Sequence, residues 1–162
     1  MRRIEPPFER MRYAEVLDDL IRWGIELEWG ADLGYVEERE LTGERTEPLF
    51  ITHFPREKGF YHRPDPTDPR TLLTHDLLAP EGYGEILGGG ERCSDVDELL
   101  SRINEAGMDP AAYDWYVDLR RYGTVQHSGF GLGIERTLAW ITGAEHIRDM
   151  IPFPRTIRRV TP

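Results

Sequence analysis

Several things are scarce in this sequence, and each shortage removes a class of protein. There is a single cysteine, Cys93, which rules out an internal disulfide and a cysteine-built zinc site. No apolar run approaches the ~20 residues a membrane helix needs. The opening "MRRIEPPFERMRY" lacks the apolar stretch that directs secretion, so a cytoplasmic protein without membrane contact is expected. Positive charge is short as well: 20 Lys and Arg face 30 Asp and Glu, a net charge of −10. A chain whose main work is gripping nucleic-acid phosphates has the opposite balance, so contact with RNA is expected to be weak or supplied by a partner. The C-terminal stretch "IRDMIPFPRTIRRVTP" is basic, with Arg148, Arg155, Arg158 and Arg159, and only Lys58 is a lysine. That skew is attributed to genome composition or heat adaptation rather than to function. The five histidines have no metal-ligand spacing, no serine or cysteine sits in a nucleophile elbow, and neither a P-loop nor a G-x-G-x-x-G fingerprint is present.

What remains is an ordinary globular composition, 39% hydrophobic and 31% charged over 162 residues, enough for one domain with a buried core. "YAEVLDDLIRWG" puts Val16, Leu17, Leu20 and Ile21 on one helical stripe, with Gly24 as its stop. "IELEWG" alternates like a short strand, and the polar stretch that follows holds a short helix at most. "PLFITHFP" is a strand bounded by prolines. "REKGFYHRPDPTDPR" is expected to be a surface loop. "TLLTHDLLAP" and "EGYGEILGGGER" form two strands joined by a hairpin through 80–82. Ser94 is placed as an N-cap with Asp97 as its capping-box partner, ahead of a helix burying Val96, Leu99, Leu100 and Ile103. Asp109-Pro110 opens the next helix, which buries Tyr113, Tyr116 and Leu119. "TVQHSGFGLG" is a strand feeding a helix whose buried stripe is Ile134, Leu138 and Ile141, ended by Gly143. Hairpin-joined strands with helices added later give an α+β fold on an antiparallel sheet flanked by helices.

Three groups can carry chemistry. Gly129, Gly131 and Gly133 alternate, so they share one face of their strand and leave room for a flat ring or another backbone. Arg136 follows in the first turn of a helix, where a cation is misplaced unless an anion is near; tight helix packing, with Arg136 paired to Glu135 or another acid, is an equal alternative. Asp76 and Glu85 sit on the two arms of the hairpin, and carboxylates there repel unless a cation lies between them. Magnesium held by one or two carboxylates and substrate phosphates fits that placement, although pairing with nearby arginines explains it as well. Gly88, Gly89 and Gly90 clear space beside Arg92, whose fork suits a carboxylate or amide oxygen; a merely exposed arginine is the plainer account.

Taken together, "DLLAPEGYGEILGGGER", "YVDLRRYGTVQHSGFGLGIERTLAWITG" and "HIRDMIPFPRT" resemble the C-terminal half of class II aminoacyl-tRNA synthetases of the aspartate/asparagine type, nearer the asparagine enzymes. "GFGLGIER" and its helix, within 129–141, are similar to the family's motif 3. The resemblance runs over nearly the whole chain and implies a partial class II catalytic fold in one domain, 1–162. By resemblance, Arg136 contacts the γ-phosphate of ATP and flanks the adenine, Gly131 and Gly133 form the nucleotide floor, Asp76 and Glu85 hold Mg2+ on the phosphates, and Arg92, with Gly129 beside it, takes the amino-acid side chain of asparagine or aspartate. Motifs 1 and 2 and an anticodon-binding domain have no counterpart here. Gln126 replaces a proline, and Glu91 stands beside Arg92 where a neutral residue is usual, so it is expected to weaken that arginine's grip. The implied function is adenylation and tRNA charging with a second chain supplying motifs 1 and 2, or through a homodimer. The alternatives are a non-catalytic nucleotide or amino-acid binding module and an adenylating enzyme like the asparagine synthetase relatives.

Overall fold

A computed structural model describes residues 4–161; Arg2 and Arg3, part of the N-terminal stretch considered above, lie outside them. The sheet has five strands in chain order: β1 (Glu9–Arg12), β2 (Leu49–Thr52), β3 (Thr74–Ala79), β4 (Gly84–Glu91) and β5 (Ser128–Leu132). Four of them pair antiparallel as expected. The fifth, β1, was not anticipated; it runs parallel to β2 and makes the sheet mixed. "IELEWG" forms no strand: its residues Ile25 and Leu27 instead pack against the main core. No helix among the described residues is long and apolar enough to cross a membrane.

Helices α1 (Tyr13–Arg22) and α2 (Tyr35–Thr42) cover one sheet face. Val16, Leu17 and Leu20 meet Leu49, Ile51 and Leu78 there in one buried cluster. Ile21, expected on the same stripe, is exposed. A second core joins α3 (Val96–Glu105) and α4 (Asp114–Arg121) through Leu99, Ile103, Val117 and Cys93. The N-cap of α3 is Asp95, not Ser94, and its carboxylate accepts the Glu98 N–H at 2.8 Å; the acid also complements the helix dipole. On α4 the buried positions are Val117 and Arg120, while Leu119 faces solvent. A 3₁₀ turn at Pro110–Tyr113 precedes α4 and shifts its helical phase from the one expected.

The largest departure is α5 (Ile134–Thr142). Its apolar stripe, Ile134, Leu138 and Ile141, is 63%, 39% and 46% exposed. Only Ala139 is buried, on the side turned toward the β3–β4 hairpin. Gly143 ends the helix in the left-handed conformation, φ 74°, as glycine readily does.

Candidate active site

The hairpin at Glu81 and Gly82, both at positive φ, sends β4 back along β3. From Thr74↔Gly90 to Leu77↔Leu87 the register is regular; then Leu78 pairs with Glu85, leaving Ile86 as an extra residue. This β-bulge reverses the alternation. In a regular strand Glu85 would lie on the face opposite Gly88, three residues away. The bulge brings it to the face of Asp76 and Leu78. The result is a convergence: a Cβ added to Gly88 would lie 2.7 Å from Glu85 Oε1 and 3.0 Å from Asp76 Oδ1. Glycine leaves that space open between the two carboxylates.

The floor continues across β4 and β5, where Gly88 pairs with Gly131 and Gly90 with Gly129. A Cβ on Gly131 would meet nothing within 4 Å, and one on Gly129 would lie 3.0 Å from Arg92 Nη2. Gly129 thus clears the path of the arginine, and Gly131 leaves open space. Gly133 is the N-cap of α5, its N–H donated to the Ile86 carbonyl at 2.8 Å. Arg136 donates to the Glu85 carbonyl at 2.8 Å rather than pairing with Glu135. Arg92 lies over the Tyr61 ring at 5.0 Å and beside His62 Nδ1 at 3.3 Å. Glu91, expected to weaken it, turns away: Arg63 Nη1 and Gln126 Nε2 donate to its Oε1 at 2.5 and 2.8 Å. The two departures from the family pattern, Glu91 and Gln126, therefore meet in space and satisfy each other.

Four residues of this site were not singled out from the sequence. Lys58 Nζ donates to Asp76 Oδ2 at 2.5 Å and sits 3.5 Å from the Phe54 ring centroid; its being the one lysine was the available signal. Tyr61 and His62 belong to the segment expected to be a surface loop, yet His62 is buried. Glu38 on α2 accepts the Glu85 N–H at 2.9 Å, and nothing in its polar helix marked it. Burial raises the carboxyl pKa of Asp76, Glu85 and Glu38, and neighbouring carboxylates add to the rise while Lys58 opposes it at Asp76 and Glu85. Burial, then the Arg92 charge, pushes His62 down to about 4, so the ring is neutral at pH 7.

These groups line two adjoining cavities. The smaller, about 350 Å³, holds Lys58, Asp76, Glu85 and Arg92 over Gly88. The larger, about 790 Å³, lies between α2, the hairpin and α5 and holds Arg136. Asp32, Leu33, Glu38 and Glu85 line both. The smaller carries both carboxylates and cations, Lys58 already paired with Asp76, a mix suited to a small zwitterion; the larger has room for a bigger ligand beside Arg136. The Asp76–Glu85 gap fits a divalent ion that takes two carboxylates and completes its shell with phosphate and water. No cluster of three or more His, Cys, Asp or Glu side chains suited to a metal occurs among the described residues.

Residues 1–157 match the family described as class II tRNA synthetases (D, K and N). An asparagine–tRNA ligase from Pyrococcus horikoshii is 54% identical over all of this chain, which covers 38% of that protein. A crystal structure of the asparaginyl-tRNA synthetase of the same organism, complexed with asparaginyl-adenylate, superposes with a TM-score of 0.93 at 55% identity, over 98% of this chain and 37% of that one. The Entamoeba histolytica asparaginyl-tRNA synthetase, also with asparaginyl-adenylate, gives 0.92 at 38% identity, over 100% and 38%. The chain therefore spans under two-fifths of the length of the relatives it matches.

Proposed function

The chain belongs to the class II tRNA synthetases of the D, K and N group, with an asparaginyl-tRNA synthetase-like sequence and fold, and from that premise we propose that it supplies the amino-acid and nucleotide pockets for ATP-dependent, AMP-forming activation of asparagine. The observation that carries this reading is the meeting of Asp76 and Glu85 over Gly88, at the junction of a zwitterion-sized cavity and a nucleotide-sized one. In the smaller cavity Arg92, cleared by Gly129 and held by Tyr61 and His62, takes the side-chain oxygen of asparagine or aspartate. Its carboxylates receive the α-amino group. Arg136, which lines the larger cavity, meets the γ-phosphate, and Gly131 and Gly133, on β5 and at its end, leave the floor bare under the adenine. Asp76 and Glu85 would hold Mg2+, which neutralises phosphate charge. The amino-acid carboxylate attacks the α-phosphorus; a carboxyl–phosphorus bond forms, the bond to the β-phosphate oxygen breaks, and pyrophosphate leaves. The work of these residues is positioning and charge neutralisation.

In this reading residues 1–162 form the C-terminal half of a class II catalytic core, with motif 3 at 129–141. Transfer to tRNA draws on parts that the relatives carry outside the matched stretch, supplied by a partner chain or a second copy. The bare side of β5 supports such association. The Gly133 N–H to Ile86 O and Arg92 N–H to His127 O bonds fix the ladder phase, so Ser128, Phe130 and Leu132 turn their backbone groups to the outer edge. The Lys58–Asp76 ion pair favours a second reading, a binding module in which lysine rather than magnesium balances Asp76. Calorimetry decides. L-asparagine and ATP are expected to bind, with ATP dependent on Mg2+; binding unchanged by Mg2+ favours the module. Arg136→Ala should weaken ATP about tenfold more than AMP, the worth of one charged contact, and equal weakening rejects the γ-phosphate role.

A further inference from the structure

Lys58, Tyr61 and His62 reach the smaller cavity from an irregular segment, residues 56–62, that contains only a 3₁₀ turn at Arg56–Lys58. Its ends are tied by two backbone bonds, Arg56 N–H to Arg70 O and Cys93 N–H to Tyr61 O, both 2.9 Å, and by the bridge of His62 to Arg92; between them it has no ladder of its own. There α3 fixes it. Arg102 is 3% exposed, with no carboxylate in salt-bridge contact among the described residues. Its guanidinium donates to three carbonyls of the segment: those of Arg56 at 2.9 Å and Gly59 at 2.8 Å through Nη2, and that of His62 through Nη1. One helical turn to either side, Glu98 and Glu105 grip the Arg56 side chain at 3.0 and 3.3 Å. Glu98, Arg102 and Glu105 share one helical stripe, so a single face of α3 holds the segment at its start, middle and end. Phe60 packs into the core beside Leu99 and Ile103 and supplies the apolar half of the anchorage.

A buried guanidinium satisfied by carbonyls alone is costly to desolvate. Apolar packing would hold the helix as well at less cost, but it would not choose one backbone conformation. The planar fork does, because its donors lie in fixed directions. We propose that Arg102 is the positioning residue of the site: it holds residues 56–62 in the conformation that places Lys58 against Asp76 and sets Tyr61 and His62 around Arg92. Capture of a ligand in the smaller cavity then depends on a side chain that lies outside it. The link to ligand binding rests on the amino-acid reading above; the link to Lys58 does not.

The lone lysine provides the test. Reductive methylation with ¹³C-formaldehyde labels Lys58 and otherwise only the chain's amino terminus. Because Nζ lies over the Phe54 ring, the Lys58 methyl signal is expected upfield of a free dimethyl-lysine. In Arg102→Met it should move to the free position, and L-asparagine affinity should fall about tenfold. Arg102→Lys, which keeps the cation but not the fork, should fall between. Asp95→Ala, which removes the N-cap of the same helix, destabilises without touching the segment and should leave the signal in place. If Arg102→Met does not fold, Arg102→Lys carries the test. A folded Arg102 variant with the wild-type Lys58 signal overturns the proposal, as does loss of the signal in Asp95→Ala. No asparagine binding by the wild-type chain would defeat the amino-acid reading alone, since the methyl signal still decides the role of Arg102.

Discussion

On one side of the sheet Leu49, Ile51 and Leu78 are at most 1% exposed under α1 and α2; on the other, Phe130 and Leu132 are 69% and 48% exposed beside an outward-facing α5 stripe. Both sides carry helices with a polar and an apolar face. The difference lies in who supplies the partner. Around β2 and β3 the chain covers its own apolar residues, and its ion pairs close over them. Around β5 it does not. A hydrophobic stripe in a sequence therefore tells that a helix has an apolar side, and not that the same stretch of chain covers it.

The sharpest way to break this contrast is to cut equal amounts from the two sides. Ile51→Ala should cost about 4 kcal/mol, as large-to-small changes in full cores do, whereas Leu138→Ala should stay within about 0.5 kcal/mol in the isolated chain. Urea denaturation of both variants measures it, and comparable losses would mean that α5 packs as tightly as α1. The next largest effect concerns pH. His62 has its folded pKa lowered to about 4 from 6.5, so its contribution is complete above 6.5 and is lost as pH falls through 4, about 3 kcal/mol in all. His62→Gln should remove that limb from the stability–pH profile; an unchanged profile would show that the closed side does not hold this ring neutral. The smallest effect is at the ion pair. Lys58→Met should cost about 1 kcal/mol at pH 7, discounted because the lysine is partly exposed. The loss should shrink on acidification as Asp76, already raised by burial, takes up a proton, and Asp76→Asn in the same chain should restore stability at pH 7. A loss independent of pH would place the lysine's value in its packing on Phe54.

Much of the fold was legible because its signals are local. Strand alternation in β2 and β3, the hairpin through 80–82 and the stop at Gly143 follow from side-chain period and glycine chemistry. The parallel β1 strand was not legible, since its partner lies some 40 residues away in Leu49–Thr52 and four residues carry little pattern. Of the residues marked in the sequence, Asp76, Glu85, Arg92, Gly88 and Gly89 line the smaller cavity and Arg136 the larger, whereas Gly129, Gly131 and Gly133 line neither. Lys58, His62 and Glu38 were missed because a proline-rich loop and a polar helix look solvated in sequence; only the fold shows that Arg102 and the hairpin draw them inward. The bulge at Ile86 was beyond reach: regular alternation from Gly88 would put Glu85 on the opposite face, and the bulge returns it to that of Asp76.

The bulge also bears on how the hairpin tolerates changes in length. Ile86 touches no ligand in any reading of the site, yet it acts as a frame marker for the strand. Deleting it would close the bulge and leave Glu85 paired with Leu78, two residues from Gly88 and still on the face of Asp76. A duplication at the same point would carry Glu85 a further step along the strand from Gly88, whereas extra residues at the Glu81–Gly82 turn would leave that spacing unchanged. The spacing between Glu85 and Gly88 is therefore as informative a signature of this site as the residues themselves.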